Sequence, residues 1–374
     1  MQKLKIAFLF LDEIHHVSHF ISVAKELSKN HEVKILTYKN ATQYLYDRVK
    51  TIKAEDVKIE ELPTKRFRAF TDKLKDIKIP RKGFWIKKNL DYLLQFDAVI
   101  FTDYFHKYLQ KARGEKKHPK VIKLNHGIPG RAYAFKAAQS EFDMQVLVGS
   151  FQQKVLSEKN ILAKNHAIGG YPKLDVVKEI PAKRYFENEK PIVLYNPHFD
   201  AEFSSWDKFG VEILKYFSQQ NTYNLIFAPH LHLFQQKKGN RNIDEIPQEI
   251  YDFGNIYIDL GSSDSVDMQY TRVADLYLGD VSSQVYEFII NPRPCLFLNP
   301  SAINYDNKFD YRFWQSGPVI ENLEDFTSAL KMAFKTFKDF EPIQSKLNSE
   351  NFFIPKDKTA SENIAEIISE YLKE

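Results

Sequence analysis

Two doubly wound α/β domains, each a parallel sheet with helices on both faces, are the fold class that this 374-residue sequence predicts. Three observations carry the prediction. Short apolar runs of strand length alternate with helix-length segments, the pattern of parallel sheets whose crossovers are helical. The alternation runs through the chain twice, interrupted at Ile168-Gly169-Gly170-Tyr171-Pro172. The length also exceeds what one hydrophobic core usually organises.

In the first half, residues 4–11, 33–37, 98–101, 121–124 and 145–148 read as strands, and Ser18 can cap a helix running to Leu27. In the second half the strands fall at 192–195, 225–228, 256–258, 276–278 and 295–298. The expected division is 1–168 for the first domain and 169–354 for the second. Beyond Pro355, Ile364, Ile367, Ile368 and Leu372 recur at helical spacing. A helix with such a face needs an apolar partner, and segment 355–374 is expected to cross back onto the first domain.

The turn after the first strand, Asp12 to His19, lacks the G-x-G-x-x-G pattern by which backbone approaches a pyrophosphate, which disfavours a nicotinamide or flavin site. The only cysteine, Cys295, lies in an apolar strand, so there is no disulfide framework and no thiolate metal site. His15, His16 and His19 match no metal-ligand spacing and are expected to line a cleft on the acceptor side. No metal and no resident cofactor are therefore expected. No apolar run approaches the ~20 residues of a membrane span, and the apolar run 6–11 has no cleavage pattern after it, which predicts a cytoplasmic protein. Net charge is only +4, but residues 65–88, KRFRAFTDKLKDIKIPRKGFWIKK, concentrate basic side chains with Phe67, Phe70, Phe84 and Trp85 among them. That composition suits an anionic membrane surface or a polyanionic acceptor, making the protein peripheral to a membrane; nucleic acid is not the expected partner.

The most informative stretch is 271–300, TRVADLYLGDVSSQVYEFIINPRPCLFLNP, which reads as strand, tight loop, helix, strand. Asp280, Ser282 and Ser283 stand between the strand and the helix, where hydroxyls and free backbone N–H groups meet and bind anionic oxygen. Glu287, one turn on from Ser283, can accept hydrogen bonds from a ribose diol. The pattern points to a nucleotide diphosphate. Ligands of open parallel sheets bind beyond the carboxyl ends of the strands, and His126, His198, His230 and His232 all follow strands.

The series Asn125-His126-Gly127-Ile128-Pro129, Pro229-His230 and Asp280-Val281-Ser282-Ser283 resembles the H-G-T-P, R-x-H-P and D-Y-S-S motifs of the CDP-glycerol glycerophosphotransferases, which build teichoic-acid-like polymers. The likeness continues through Pro294 to Leu298, Ser316 to Ile320 and Lys358 to Ser361. It covers most of residues 120–374, whereas the first 110 residues match only as a generic sheet domain. It departs at Ile128, Gly130-Arg131, Ala228 and Val281.

The resemblance implies the GT-B fold, two Rossmann-like domains facing across a cleft. It also implies transfer of a glycerol-phosphate or glycosyl group from a nucleotide-activated, CDP-linked donor to a hydroxyl of a polymer or lipid-linked acceptor. His126 would be the general base; His230 would assist the departing nucleotide, with His198 beside it on the donor side. Arg131 would meet an anionic acceptor or phosphate. Three alternatives stand beside it: a CMP- or UDP-sugar transferase for capsule or lipopolysaccharide, a UDP-GlcNAc 2-epimerase-like enzyme, and a non-catalytic nucleotide- or polyanion-binding module.

Overall fold

The computed structural model describes residues 3–38, 43–74, 81–234 and 241–374. The chain forms two compact units, one of residues 1–129, 133–180 and 350–374, the other of 130–132 and 181–349. Both are parallel-sheet α/β units, as the alternation predicted.

The first unit holds β1 (Lys5–Phe10), β2 (Glu32–Tyr38), β3 (Lys58–Leu62), β4 (Ala98–Phe101), β5 (Lys120–Lys123), β6 (Met144–Leu147) and β7 (Asn165–Ile168), in the order β3-β2-β1-β4-β5-β6-β7. Every pairing is parallel. Alternate side chains of the central strands enter cores on opposite faces: Ile6, Phe8 and Phe10 on one, Ala7, Leu9 and Leu11 on the other. Burial on both faces is why these strands read as unbroken apolar runs.

The second unit holds β8 (Ile192–Asn196), β9 (Asn224–Phe227), β10 (Ile256–Ile258), β11 (Leu276–Gly279), β12 (Cys295–Leu298) and β13 (Val319–Ile320), in the order β10-β9-β8-β11-β12-β13. Among the described residues, three of the thirteen strands escape the sequence reading, and all three are edge strands. β3 and β7 carry half-exposed polar residues and β13 is two residues long, so none shows an apolar run.

Two boundaries differ from the sequence reading. The first unit runs to Ile180, because the helix Lys173–Lys178 puts Val176 into the first core and Ile180 follows it there. The Gly169-Gly170 pair is a turn after β7, not a linker: Gly170 has φ +103°, and a side chain there would meet the Phe353 carbonyl at 2.7 Å. At the other end the return begins at Glu350. The helix Ala360–Tyr371 buries Ile364, Ala365, Ile368 and Leu372 in the first core. Thr359 starts it with a capping box to Glu362, and Ser361 Oγ donates to Asp175 at 2.6 Å.

Ser18 is not a cap. The segment Ile14–His19 is a 3-10 turn that buries Ser18, and the helix Ile21–Ser28 begins at Phe20 without a side-chain cap.

Candidate functional site

Each unit carries a polar cluster at the carboxyl ends of its strands.

In the first unit the cluster gathers on His126, just past β5. Its Nδ1 lies 2.6 Å from the Thr102 carbonyl, beyond β4. A carbonyl oxygen only accepts, so Nδ1 carries the proton and Nε2 of the neutral ring keeps its lone pair. His16 stacks on this ring with centroids 4.2 Å apart and holds Thr102 Oγ1 at 2.8 Å through its own Nδ1. His15 adjoins both rings, 4.5 Å from His16 and 6.1 Å from His126. Behind them Lys82 pairs with Asp12, and with Asp103 at 3.3 Å. Lys123 is wholly buried beneath. Burial, then the charge of Lys123, drives the His126 pKa down to about 3. Burial likewise holds His16 and His19 well below the ordinary histidine range.

His19 parts from its neighbours. It is only 3% exposed and lines a small pocket with Leu124, Asn125 and Tyr171, an interior position apart from the stacked rings of His15, His16 and His126.

In the second unit the cluster rests on Asp280 after β11. This carboxylate is fully buried and accepts the backbone N–H groups of His198 at 2.8 Å and Ser205 at 2.6 Å. Burial lifts its pKa to about 7 against the pull of those N–H groups. Both oxygens are engaged, so Asp280 positions the loop carrying His198. His198 Nδ1 accepts the Asp200 N–H at 3.0 Å, and His230 Nδ1 accepts the His232 N–H at 3.2 Å. In His230 the ring proton therefore sits on Nε2, the reverse of His126, whereas His198 faces a donor at each ring nitrogen, the Asp200 N–H and the Arg131 guanidinium. The two rings lie 5.5 Å apart, with Phe199 4.6 Å from each.

Arg131 belongs to this unit, its Nη1 3.0 Å from His198 Nε2 and its guanidinium over Phe203 at 4.6 Å. Arginine only donates, so the guanidinium aims an N–H at the His198 ring and brings to it a positive charge of the kind an anionic oxygen meets. Gly130 is required there, since a side chain would strike the Tyr286 ring at 2.2 Å. Ser283 caps the short helix Gln284–Ile289 through its backbone, and Ser282 Oγ accepts the Gln284 N–H at 3.3 Å. Glu287 lies in the first turn of that helix and is only 8% exposed.

Sequence reasoning passed over Asp12, Lys82, Asp103 and Lys123. Asp12 and Asp103 directly follow β1 and β4, so the post-strand rule that found the histidines would have found them too. Within 65–88, Trp85 is buried and its indole N–H donates to the Leu62 carbonyl, while Lys82 turns into the polar cluster. Residues 75–80 of that segment lie outside the described residues. Among the described residues no group of His, Cys, Asp and Glu is placed to hold a metal, and no helix is long and apolar enough to cross a membrane.

These histidines make stability depend on pH. Each has its folded pKa below its unfolded one, so its contribution is complete above the unfolded value near 6.5 and is lost as pH falls toward the folded one. A fully buried group costs about 1.4 kcal/mol per pH unit in that window, and the partly exposed His126 less. Asp280, with its raised pKa, acts oppositely between its unfolded value and about 7, but it is outnumbered. The melting temperature should therefore fall from about pH 6.5 downward, before the carboxylates titrate. A thermal-melt series from pH 8 to 4 checks this, and a flat profile down to about pH 4.5 would contradict it.

Comparison with known proteins places these motifs. The family model described as CDP-Glycerol:Poly(glycerophosphate) glycerophosphotransferase matches residues 16–370, extending the likeness well into the first unit. The teichoic acid poly(ribitol-phosphate) polymerase of Bacillus spizizenii is 24% identical over 316 residues, 77% of this chain and 49% of the relative. The chain spans about half the length of the curated relatives it matches. Among solved structures, the wall teichoic acid polymerase TagF aligns with a TM-score of 0.64 at 15% identity, covering 99% of this chain and 88% of that one. A putative UDP-N-acetylglucosamine 2-epimerase from Listeria monocytogenes aligns with a TM-score of 0.65 at 12% identity, covering 100% and 97%. These structural likenesses establish the fold, two Rossmann-like units of the GT-B class.

Proposed function

Since the chain belongs to the CDP-glycerol:poly(glycerophosphate) glycerophosphotransferase family, we propose that it moves a polyol-phosphate group from a CDP-linked donor to a hydroxyl of a cell-envelope polymer or lipid-linked acceptor. The observation that carries this reading is the opposite tautomers of the post-strand histidines His126 and His230. His126 offers a lone pair, whereas His230 offers an N–H donor and Arg131 a positive charge.

In the reaction an acceptor oxygen forms a bond to the phosphorus bearing the polyol, and the bond from that phosphorus to the nucleotide's phosphate oxygen breaks. The acceptor proton passes to His126 Nε2, and CMP departs with the released charge. Arg131 and His230 would meet that charge in fixed positions, with His198 beside the guanidinium, and without a metal. A base with a pKa of about 3 stays neutral, and so ready to accept, throughout the working range; a bound dianionic diphosphate would raise its proton affinity. Glu287 and Ser283 are assigned to the nucleoside end of the donor.

The test is a donor panel. CDP-glycerol and CDP-ribitol should raise the melting temperature more than UDP- or GDP-linked sugars, and CMP should appear when a glycerol-phosphate oligomer is added. Turnover of a UDP-sugar without any acceptor would instead support an epimerase.

The same proposal includes attachment to an anionic membrane. Phe67 and Phe70 on the helix Arg66–Leu74 are 68% and 64% exposed, next to the exposed Lys65 and Arg66. Apolar rings beside cations suit the headgroup layer. Binding to phosphatidylglycerol vesicles should weaken as salt rises and weaken further in an Arg66→Gln/Arg81→Gln double variant. Equal binding to neutral vesicles would leave only a solvated helix.

A further inference from the structure

We propose that Lys123 is a positioning residue for His126, fixing the carbonyl that orients the imidazole and holding the ring neutral by its charge; this rests on the reading of His126 as the base. Lys123 ends β5 and is fully buried. Its Nζ donates to the Thr102 carbonyl at 2.8 Å and the Leu124 carbonyl at 2.6 Å, and it sits 4.9 Å from the Tyr104 ring centre. Thr102 O is the very atom that receives His126 Nδ1–H. Two donors thus converge on one oxygen, and the lysine clamps the acceptor that selects the histidine tautomer.

Packing alone does not call for an ammonium here. An apolar side chain of the same length would fill the strand end without the cost of burying a charge.

The groups facing this pair act in both directions. On Lys123, Asp12 and Asp103 favour the charged form, while Lys82 and Lys136 oppose it. On His126, Lys123 and His15 oppose protonation, while Asp12 and the Thr102 carbonyl favour it. Burial brings the Lys123 pKa down to about 7. Its charge therefore turns off as pH rises through neutrality, and His126 becomes the stronger base as it does so. The rise of kcat/KM with pH would then follow Lys123, not the histidine.

The experiment is an NMR titration of the His126 ring in the full chain, assigned with His126→Gln, for the wild type, Lys123→Met and Lys123→Arg. The Met variant should titrate at least about one pH unit higher, a tenfold gain in proton affinity, and the Arg variant should stay low. In parallel, the Met variant should lose the kcat/KM limb near neutrality. If Lys123→Met does not fold, Lys123→Gln carries the same expectation, being neutral with an amide N–H for Thr102. An unmoved His126 titration in the folded neutral variants overturns the proposal whatever the activity. A moved titration together with full turnover in His126→Ala supports the coupling and overturns the base assignment instead.

Discussion

Replacing His126 with alanine is expected to lower turnover by roughly 10²- to 10⁴-fold, the usual contribution of a positioned general base, while donor affinity stays near that of the wild type. The reasoning starts from one hydrogen bond. Thr102 O takes the Nδ1 proton, so the free lone pair is on Nε2, and loss of the ring removes the acceptor for the proton that the attacking hydroxyl must shed. Donor binding is spared because Arg131, His198 and His230 lie in the other unit's cluster. The variant should fold, since the ring is partly exposed and the Thr102 carbonyl keeps the Lys123 ammonium as a donor. Steady-state CMP release and donor titration on the purified variant measure both quantities. Near-wild-type turnover would remove His126 from the mechanism, and a drop in melting temperature with activity lost only in proportion would give it a structural role.

Replacing Asp280 with alanine should have a different signature. Two buried backbone N–H groups, of His198 and Ser205, would lose their acceptor, and each such loss costs about 1–3 kcal/mol. The melting temperature should fall by several degrees, and donor affinity should fall with it because His198 is no longer held beside Arg131. Asp280→Asn keeps one acceptor oxygen and should recover part of both. The comparison separates positioning from direct contact. If Asp280 touched the donor itself, Asp280→Asn would recover the melt without recovering donor affinity.

The sequence by itself determined the architecture and the list of candidate groups. Central parallel strands are buried on both faces, so Ile6 to Leu11 and Leu276 to Leu278 declare themselves as apolar runs, and the residues just past them are where ligands meet an open sheet. His126, His198 and His230 were legible for that reason. The edge strands β3, β7 and β13 were not, because half-exposed pairing leaves no periodic signature.

Only the tertiary structure decided what each candidate does. A histidine's role depends on which atom lies against Nδ1, and the Thr102 carbonyl comes from a neighbouring strand end, 24 residues away in sequence. Asp280 became a loop anchor through partners, His198 and Ser205, that are 82 and 75 residues distant. Lys82 left the basic surface for Asp12 and Asp103. Burial and hydrogen-bond direction are properties of neighbours that the fold brings together, and local composition does not encode them.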